Sequence, residues 1–534
     1  MSALTESPLL ALAITCAAAL FIGGHLAKKK SGPPLPPGPP PLPVVGNVRG
    51  IDTHAPWRTY REWGYIYGPI VHTRLFDKHI CIINTEEDAR ELLDRRSQIY
   101  SDRPEIATNE LFGSAFNSAF LRYGPRWRLH RRLFHQTFRP DHVQTYRPMQ
   151  LQKGYQLLLG LLDTPEDIFG HLKRSVCPLQ DGDHPIPISY AHRHGSSIIM
   201  AAAYGYDTKP RDDPYVTAIQ KALDFLIAYL SPQASAVVGA FPFILWLPSW
   251  FPGLSIKSNA AKSRLLVKEW VDRPFEYVQE TINSGTAVPS MATDFLTKQD
   301  EQLSPDMMAA IKEASATAFA AGAETTIGAL RVFVYAMMKN PEVQKKAQAE
   351  IDAVVGTERL PTFDDRRLLP YIDAIVRETL RWLPILPLGV PHATTEDDVY
   401  KGYLIPKGSL ILANIWAMGH DEARFSNPSE FKPERFLTPG GELTDEALNF
   451  AWGFGRRSCV GRHMADASVW SAIVLILSTF NISKQKDNEG REIDAELDWS
   501  VGVTVRLEPF PCALAPRSKD MTAERLAALF SASA

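Results

Sequence analysis

The sequence predicts a mainly α-helical protein with small β-sheets, built as a single large domain behind an N-terminal transmembrane helix. Three observations predict this class: an uncharged apolar run at residues 8–27, very few strand-like runs, and one helical pattern of about 35 residues. A chain of 534 residues with 45% hydrophobic and 22% charged residues has room for two or three ordinary domains. A helix long enough to cross a whole domain favours one large domain instead.

The apolar run at residues 8–27 predicts a retained membrane anchor. As a helix it would span about 30 Å, the hydrocarbon thickness of a bilayer. Lys28, Lys29 and Lys30 follow it, whereas only Glu6 is charged before it. The positive-inside rule then predicts a single-pass protein with the rest of the chain in the cytosol. Together with a cysteine pattern that suits a reducing compartment, the anchor predicts the cytosolic face of the endoplasmic reticulum membrane. A cleaved signal peptide, the alternative, would carry its positive charge before the apolar run.

The predicted organisation after the anchor has three parts. Residues 28–47 are basic and then rich in proline, which predicts a semi-rigid linker or, less readily, a ligand for proline-recognition domains. Residues 48–516 form the expected catalytic domain, and residues 517–534 form a C-terminal tail.

The strands and the long helix have local signals. The runs at 70–75 and 79–85 predict a hairpin, and we expect another within 403–418. In the long helix, Ser304 is the expected N-cap and Pro305 fits the first turn, while Pro341 stops the pattern after Asn340.

Composition excludes several classes of function. The chain has five scattered cysteines with no Cys-x-x-Cys pair, so it has neither a disulfide framework nor a zinc site evident from sequence. A formal net charge of −3 argues against nucleic acid as the main partner.

One cysteine lies in an unusual setting, within residues 452–465 (WGFGRRSCVGRHMA). The glycines around Cys459 predict a tight turn whose backbone approaches something large or flat. Arg456, Arg457 and the start of a following helix are expected to lower the pKa of the cysteine and favour the metal-binding thiolate. A free cysteine in a glycine-rich turn is the alternative interpretation.

The long helix carries small residues at 314–329, which predicts a bulky neighbour at close range. Gly322 in mid-helix costs about 1 kcal/mol relative to alanine and therefore needs a reason. The presence of Glu324 beside Thr325 in an apolar helix also needs an explanation. Tight helix packing, with Thr325 bonded to a carbonyl one turn earlier, is the alternative account.

These motifs together resemble the cytochrome P-450 family, in which F-x-x-G-x-R-x-C-x-G surrounds the cysteine that binds haem iron. Gly455, Arg457, Cys459 and Gly461 match this pattern, while Trp452 replaces the usual phenylalanine. The resemblance implies the P-450 fold and heme b (iron protoporphyrin IX) with Cys459 as its thiolate ligand. It extends over roughly residues 33–516 and is closest in type to fungal microsomal members such as O-methylsterigmatocystin oxidoreductase and tryptamine 4-hydroxylase.

The resemblance also implies roles for further residues. In the long helix, Gly322 would open a groove for oxygen, Glu324 would relay protons and Thr325 would position the oxygen. The expected propionate-binding residues, in addition to Arg457, are Trp127, Arg131 and, on the other side, His392. A purely architectural cluster is implied for Glu378, Arg381 and Arg435.

The implied function is insertion of one oxygen atom from O2 into a lipophilic substrate, such as a terpenoid, an aromatic secondary metabolite or a polycyclic aromatic xenobiotic. Electrons would come from NADPH through a separate NADPH–cytochrome reductase, because no dinucleotide-binding fingerprint is evident in the chain. The expected docking face is basic, with Arg126, Arg128, Arg131, Arg132, Arg456 and Arg462. Two alternatives remain open: a haem-thiolate isomerase or dehydratase, and a non-catalytic haem-binding protein.

The family layout implies a substrate pocket with apolar and aromatic lining. The expected lining residues are Phe112, Phe116, Phe120, Leu226, Phe319, Ile385, Leu388 and Val503. Such a lining binds lipophilic molecules and orients them through a few polar contacts.

Overall fold

Helices are the predominant secondary structure among the residues that the structure describes. The computed structural model describes residues 32–43, 45–169, 194–209, 213–229, 235, 237–239, 241–246, 255–297, 303–502 and 504–533. Its α-helices are α1 Pro56–Tyr67, α2 Glu86–Ala89, α3 Ser97–Tyr100, α4 Ala107–Phe112, α5 Pro125–Phe138, α6 Pro140–Val143, α7 Arg147–Asp163, α8 His194–Tyr204, α9 Pro214–Tyr229, α10 Ile256–Asn283, α11 Met291–Thr297, α12 Pro305–Lys339, α13 Pro341–Val354, α14 Pro370–Trp382, α15 Ile415–Gly419, α16 Arg462–Thr479 and α17 Ala523–Ser531.

The sheets are small, as expected from the sequence. The strands are β1 Ile70–Leu75, β2 Lys78–Ile83, β3 His392–Ala393, β4 Asp398–Tyr400, β5 Tyr403–Ile405, β6 Leu410–Ala413, β7 Phe480–Lys484, β8 Trp499–Val501, β9 Val505–Leu507 and β10 Cys512–Pro516. One sheet has the order β1-β2-β6-β3, and three strand pairs are β4 with β5, β7 with β10, and β8 with β9.

The predicted hairpin at 70–85 is confirmed, and the one predicted within 403–418 is wrong. Strands β1 and β2 pair antiparallel from Ile70 opposite Ile83 to Leu75 opposite Lys78. Strand β5 instead pairs with β4, and β6 pairs in parallel with β2. The segment between β5 and β6 therefore connects two sheets. The continuous apolar run of β6 is explained by its burial inside the larger sheet.

Helix α12 is the central element and has the predicted limits. The Ser304 hydroxyl accepts a hydrogen bond from the Met307 backbone N–H, which satisfies one of the free N–H groups at the helix start. The C-terminal half of α12 packs with α14 and α16 in one buried apolar cluster, and its N-terminal half packs with α8 and α10 in a second. Because both clusters share α12, this helix fixes the positions of the elements that carry the candidate site.

Both ends of the predicted catalytic domain have structure that the sequence alone did not indicate. The expected spacer contacts the body from Pro34 onward, where the Pro34 and Pro37 carbonyls accept hydrogen bonds from the backbone N–H groups of Leu404 and His72. In the expected tail, α17 packs against α7, with the Phe530 ring stacked on Tyr155 at 4.4 Å.

The predicted anchor at residues 8–27 lies outside the described residues. Within the residues that the structure describes, no helix is both long enough and apolar enough to cross a bilayer.

Candidate functional site

The loop that carries Cys459 is held tightly against a π-helical turn, Arg90–Arg95. Gly453 and Gly455 adopt φ values of 76° and 54°, a region that strongly favours glycine. A Cβ atom at Gly455 would collide with the Leu93 carbonyl oxygen, so no larger residue fits without rearrangement. The Gly455 backbone N–H also donates to the Asp94 carboxylate. The glycines predicted to allow close backbone approach therefore do so, here against the protein itself.

Cys459 lies on the wall of an interior cleft. Cys459 is exposed although many protein atoms lie close around it, as expected for a residue on an internal surface. Burial raises the pKa of the thiol above its usual value, while the backbone N–H groups of Gly461 and Arg462 and the charge of Arg131 oppose that rise. These groups do not overcome the effect of burial, so the protein alone does not favour the thiolate over the thiol.

The expectation that Arg456 and Arg457 lower the pKa of Cys459 is wrong. The Arg456 guanidinium donates to the Tyr123 hydroxyl at 2.5 Å, and Arg457 donates to the carbonyls of Ser101 and Leu121, both at 2.8 Å. Both guanidinium groups are therefore bound to other partners, and neither is among the groups that shift the pKa of Cys459. Sequence adjacency did not reveal those partners.

Helix α12 also exposes surface to an interior cleft. Ala321 is exposed in the middle of a helix whose neighbouring turns are largely buried. One turn later, the Thr325 hydroxyl donates to the Ala321 carbonyl at 2.7 Å, and its oxygen remains accessible. This is the bond that the alternative account of Thr325 predicted. The threonine is nevertheless positioned at the cleft surface.

Helix α5 connects α12 to the cysteine loop. Its His130 lies 3.2 Å from the Glu313 carboxylate of α12, and the next residue, Arg131, donates to the Ser458 carbonyl at 2.7 Å. Because consecutive residues of α5 contact the two elements, α12 and the cysteine loop border the same part of the interior.

Gly322 has a packing role. A Cβ atom at this position would lie 3.0 Å from Ile199 Cγ1 of α8, tighter than ordinary van der Waals contact. From the other side, a Cβ atom at Gly195 of α8 would lie 2.8 Å from the Ala323 carbonyl oxygen. The close approach of α8 and α12 is therefore sufficient reason for the glycine, as the alternative account predicted.

A cluster of buried and half-buried basic side chains lies beside the cysteine loop, and we call Arg103, Arg131, His392 and Arg457 the basic cluster. Arg457 has a buried Nη1 group without a partner among the described residues. Its guanidinium lies 4.2 Å from the ring centroid of Trp127, which is itself buried. Burial, with a smaller contribution from the charge of Arg131, lowers the pKa of Arg457 to about 10, although the charge of Asp102 opposes this shift. The cluster therefore contains more positive charge than its protein surroundings neutralise.

Arg103 is the member of the basic cluster that the sequence analysis missed. Its side chain donates to the carbonyls of Ala119, Val390 and Pro391, which fixes it in place. Burial first, and then the charge of Arg457, holds its pKa well below the usual range. No periodic pattern marks Arg103 in the sequence, and tertiary pairing of Asp102 with Ala393 brings it to His392.

His392 is less suited to donate to a carboxylate than the sequence analysis expected. Its Nδ1 lies 2.8 Å from the Tyr100 carbonyl oxygen, which can only accept, so Nδ1 carries the proton. Burial and the charges of Arg103 and Arg457 hold the pKa of His392 well below its usual value. The ring is therefore neutral, and its Nε2 atom is an acceptor rather than a donor.

These residues fit a haem. Its two propionates would supply the negative charge that the basic cluster lacks, since the nearby Asp102 carboxylate is already paired with Arg122 at 2.6 Å. Cys459 would supply a thiolate to the iron. No group of three or more His, Cys, Asp or Glu side chains that could hold a metal ion occurs in the described part of the chain.

The expected pocket lining is divided between core and cleft. Phe112 and Phe319 are fully buried, so they pack in the core and do not face the accessible cleft. Phe116 is buried against Trp270, with ring centroids 5.2 Å apart. The half-buried side chains are Phe120, Leu226, Ile385 and Leu388. Val503 lies outside the described residues.

The cluster implied for Glu378, Arg381 and Arg435 is present. Arg381 and Glu378 are fully buried and form two bonds, at 2.6 and 2.8 Å, and Arg435 Nε lies 3.1 Å from Glu378 Oε1. Arg381 also donates to the carbonyls of Gly419 and Pro428. The cluster therefore fixes the segment between α15 and the cysteine loop, and it acts on the cysteine loop only through that segment.

Comparison with known proteins agrees with this arrangement. The chain matches the family described as Cytochrome P450 over residues 36–167 and 188–507. It is 38% identical over 505 residues to cytochrome P450 monooxygenase claR of Ampulloclitocybe clavipes, covering 93% of this chain and 89% of that protein. It is 35% identical over 496 residues to tryptamine 4-monooxygenase of Psilocybe cyanescens, covering 91% of this chain and 94% of that protein. Cytochrome P450 monooxygenase 208 of Postia placenta is 36% identical over 509 residues.

Proposed function

The chain belongs to the cytochrome P450 family, and from this premise we propose that Cys459 binds the haem iron and that the enzyme oxidises a lipophilic organic substrate. The family binds haem through a cysteine thiolate, and the chain is a haem-dependent monooxygenase like its named relatives. The observation that carries the assignment is the position of Cys459, accessible on an interior cleft and next to the unneutralised basic cluster.

We assign the propionate-binding role to Arg457, Arg103 and Trp127. Arg457 has the unpartnered buried N–H group, and Trp127 lies under its guanidinium. Arg131 supports the ligand loop through the Ser458 carbonyl, with the rest of its guanidinium available to a propionate. His392, as a neutral acceptor, supports the site through Tyr100 and accepts no carboxylate in this protonation state.

The bound haem supplies the activation of O2, so that one oxygen atom enters the substrate and the other leaves as water, with two electrons and two protons consumed. Protons must reach the cleft while bulk water is kept out. Thr325 holds a hydroxyl group at the cleft surface, and Glu324 is the neighbouring carboxyl group that passes protons toward it. Gly322 contributes by letting α8 and α12 approach closely.

We propose a membrane-bound NADPH–cytochrome reductase as the electron donor and the endoplasmic reticulum membrane as the location. Arg128 and Arg132 of α5 are exposed, on the helix whose Arg131 contacts the cysteine loop. A positive surface close to the haem suits an acidic donor domain. The apolar run at residues 8–27 would provide the anchor.

The substrate class is supported by the apolar character of the cleft and of its surroundings. Phe120 and Leu226 are half-buried, and the exposed rings of Phe243 and Trp246 form an apolar surface suited to contact a bilayer. One relative is named for oxidation of the aromatic amine tryptamine. A terpenoid or aromatic secondary metabolite, or a polycyclic aromatic xenobiotic, fits such a cleft.

The test is isotope incorporation by the full-length protein in membranes with reductase and NADPH. Lipophilic terpenoids and aromatics are incubated under 18O2, and products are read by mass spectrometry. We expect one 18O atom per product, dependent on NADPH and absent in Cys459→Ser. A product formed without NADPH would identify an isomerase or dehydratase instead. NADPH consumption no greater than in Cys459→Ser would indicate a non-catalytic haem protein.

A further inference from the structure

Arg506 of β9 lies between two carboxylates from two different helices. Its Nη2 atom forms an ion pair with Glu324 Oε2 of α12 at 2.6 Å, without the alignment of a hydrogen bond. Its Nη1 atom lies 3.8 Å from Asp224 Oδ1 of α9. One guanidinium thus connects α9, α12 and the β8–β9 pair.

The backbone of Arg506 is fixed on both sides. The preceding Val505 donates its backbone N–H to the Ile385 carbonyl at 2.8 Å. The following Leu507 accepts a hydrogen bond from Arg331 of α12 at 2.7 Å through its carbonyl. Because both neighbours are held, the guanidinium leaves the strand from a defined position, and little entropy is lost when it orients a partner.

The ion pair lies in an enclosed environment. The exposed fraction is 13% for the Arg506 side chain and 9% for that of Glu324. Electrostatic interactions strengthen where water is excluded, and an enclosed carboxylate that lost this cation would more readily take up a proton or turn toward water. The guanidinium therefore controls both the direction and the charge of the Glu324 side chain.

We propose that Arg506 is a positioning residue for proton delivery, which holds the Glu324 carboxyl group beside Thr325. The contact between Arg506 and Asp224 makes that position depend on the placement of α9 as well. This inference rests on the proposed function, since it assumes that Glu324 passes protons to the cleft.

The experiment measures how O2 is reduced, which needs no knowledge of the substrate. Full-length holoenzyme with reductase and NADPH releases hydrogen peroxide when O2 takes two electrons and two protons, and water when it takes four of each. Slower proton delivery raises the peroxide released per NADPH oxidised. We expect Glu324→Gln and Arg506→Gln each to raise this ratio severalfold, with the carbon monoxide spectrum of the thiolate-bound haem unchanged.

Three further variants make the result specific. The double variant R506Q/E324Q should equal Glu324→Gln alone, because Arg506 acts through Glu324. Arg506→Lys keeps the charge but loses the planar fork, so its ratio should lie between those of wild type and Arg506→Gln. Arg517→Gln removes another arginine that pairs with a carboxylate, Asp352, and should leave the ratio unchanged.

The outcomes distinguish the positioning role of Arg506 from the proton relay through Glu324. A wild-type ratio in Arg506→Gln, with an increased ratio in Glu324→Gln, overturns the role of Arg506 alone. Wild-type ratios in both variants overturn the proton relay through Glu324 as well. Additive effects in the double variant mean that Arg506 acts elsewhere. Should Arg506→Gln fail to hold haem, a wild-type ratio in Arg506→Lys overturns the inference.

Discussion

Two groups of charged side chains in the interior differ in whether other groups of the protein neutralise their charge. The cluster of Glu378, Arg381 and Arg435 contains its own carboxylate, and Arg381 adds bonds to the carbonyls of Gly419 and Pro428. The basic cluster has arginines but no free counterion, and a buried N–H group of Arg457 has no partner among the described residues.

The difference indicates that the cluster of Glu378, Arg381 and Arg435 stabilises the fold, whereas the basic cluster binds a ligand. A buried ion that is paired and hydrogen-bonded needs nothing more, whereas surplus buried charge is costly until an anion arrives. We therefore expect substitutions in the first cluster to unfold the protein, and substitutions in the basic cluster to release haem.

The largest effect is expected for Glu378→Gln. Removing the carboxylate leaves Arg381 buried without its counterion, which costs about 3–5 kcal/mol of the free energy of unfolding. Urea unfolding followed by circular dichroism measures the loss. Glu489→Gln is the matched control, because its ion pair with Arg491 is at the surface and is worth about 1 kcal/mol or less. Equal effects in the two variants would remove the distinction between buried and exposed pairs.

Arg457→Gln should weaken haem binding and leave folding intact. A hydrogen bond to a charged partner contributes about 2 kcal/mol, or roughly thirtyfold in affinity. Transfer of haem to apomyoglobin measures the loss rate, with Arg456→Gln as control because that side chain points to Tyr123. A variant that keeps haem but unfolds more easily would make the basic cluster structural.

His194 provides a third case, a buried base that avoids the need for a counterion by staying neutral. Burial lowers its pKa to about 4. The unfolded histidine takes up a proton below about pH 6.5 and the folded one does not, so stability falls as the pH drops from about 6.5 toward 4, by about 1.4 kcal/mol per pH unit. Urea unfolding across this range should show a shallower slope in His194→Gln. An unchanged slope would mean that His194 is protonated in the folded protein.

The smallest effect is expected for Trp127→Phe, which keeps an aromatic ring beneath Arg457 but removes the indole N–H. One hydrogen bond to a propionate is worth about 1 kcal/mol. The same haem-transfer assay should give a loss rate between those of wild type and Arg457→Gln. A rate equal to wild type would exclude Trp127 as a propionate donor.

Local patterns were sufficient for much of this fold. The cap at Ser304, the stop at Pro341 and the hairpin at 70–83 each depend on neighbouring residues, and they appear as predicted. The second hairpin was wrong because β6 pairs with a strand that is distant in sequence.

Sequence motifs predicted which residues form the site but not which partners their side chains contact. Sequence adjacency suggested that Arg456 and Arg457 lower the pKa of Cys459, whereas their guanidinium groups bind Tyr123, Ser101 and Leu121. Arg103 and Arg506 had no local signal, because their partners come from distant segments. Motifs identified the residues, and only tertiary packing determined where each side chain points.

The most direct test of the central claim is the carbon monoxide difference spectrum of the reduced, full-length protein, recorded beside Cys459→Ser. We predict the band characteristic of a thiolate opposite carbon monoxide in the wild type, and its loss in a Cys459→Ser protein that still folds. A wild-type spectrum typical of a histidine or neutral thiol ligand would contradict the account, as would an unchanged thiolate band in Cys459→Ser.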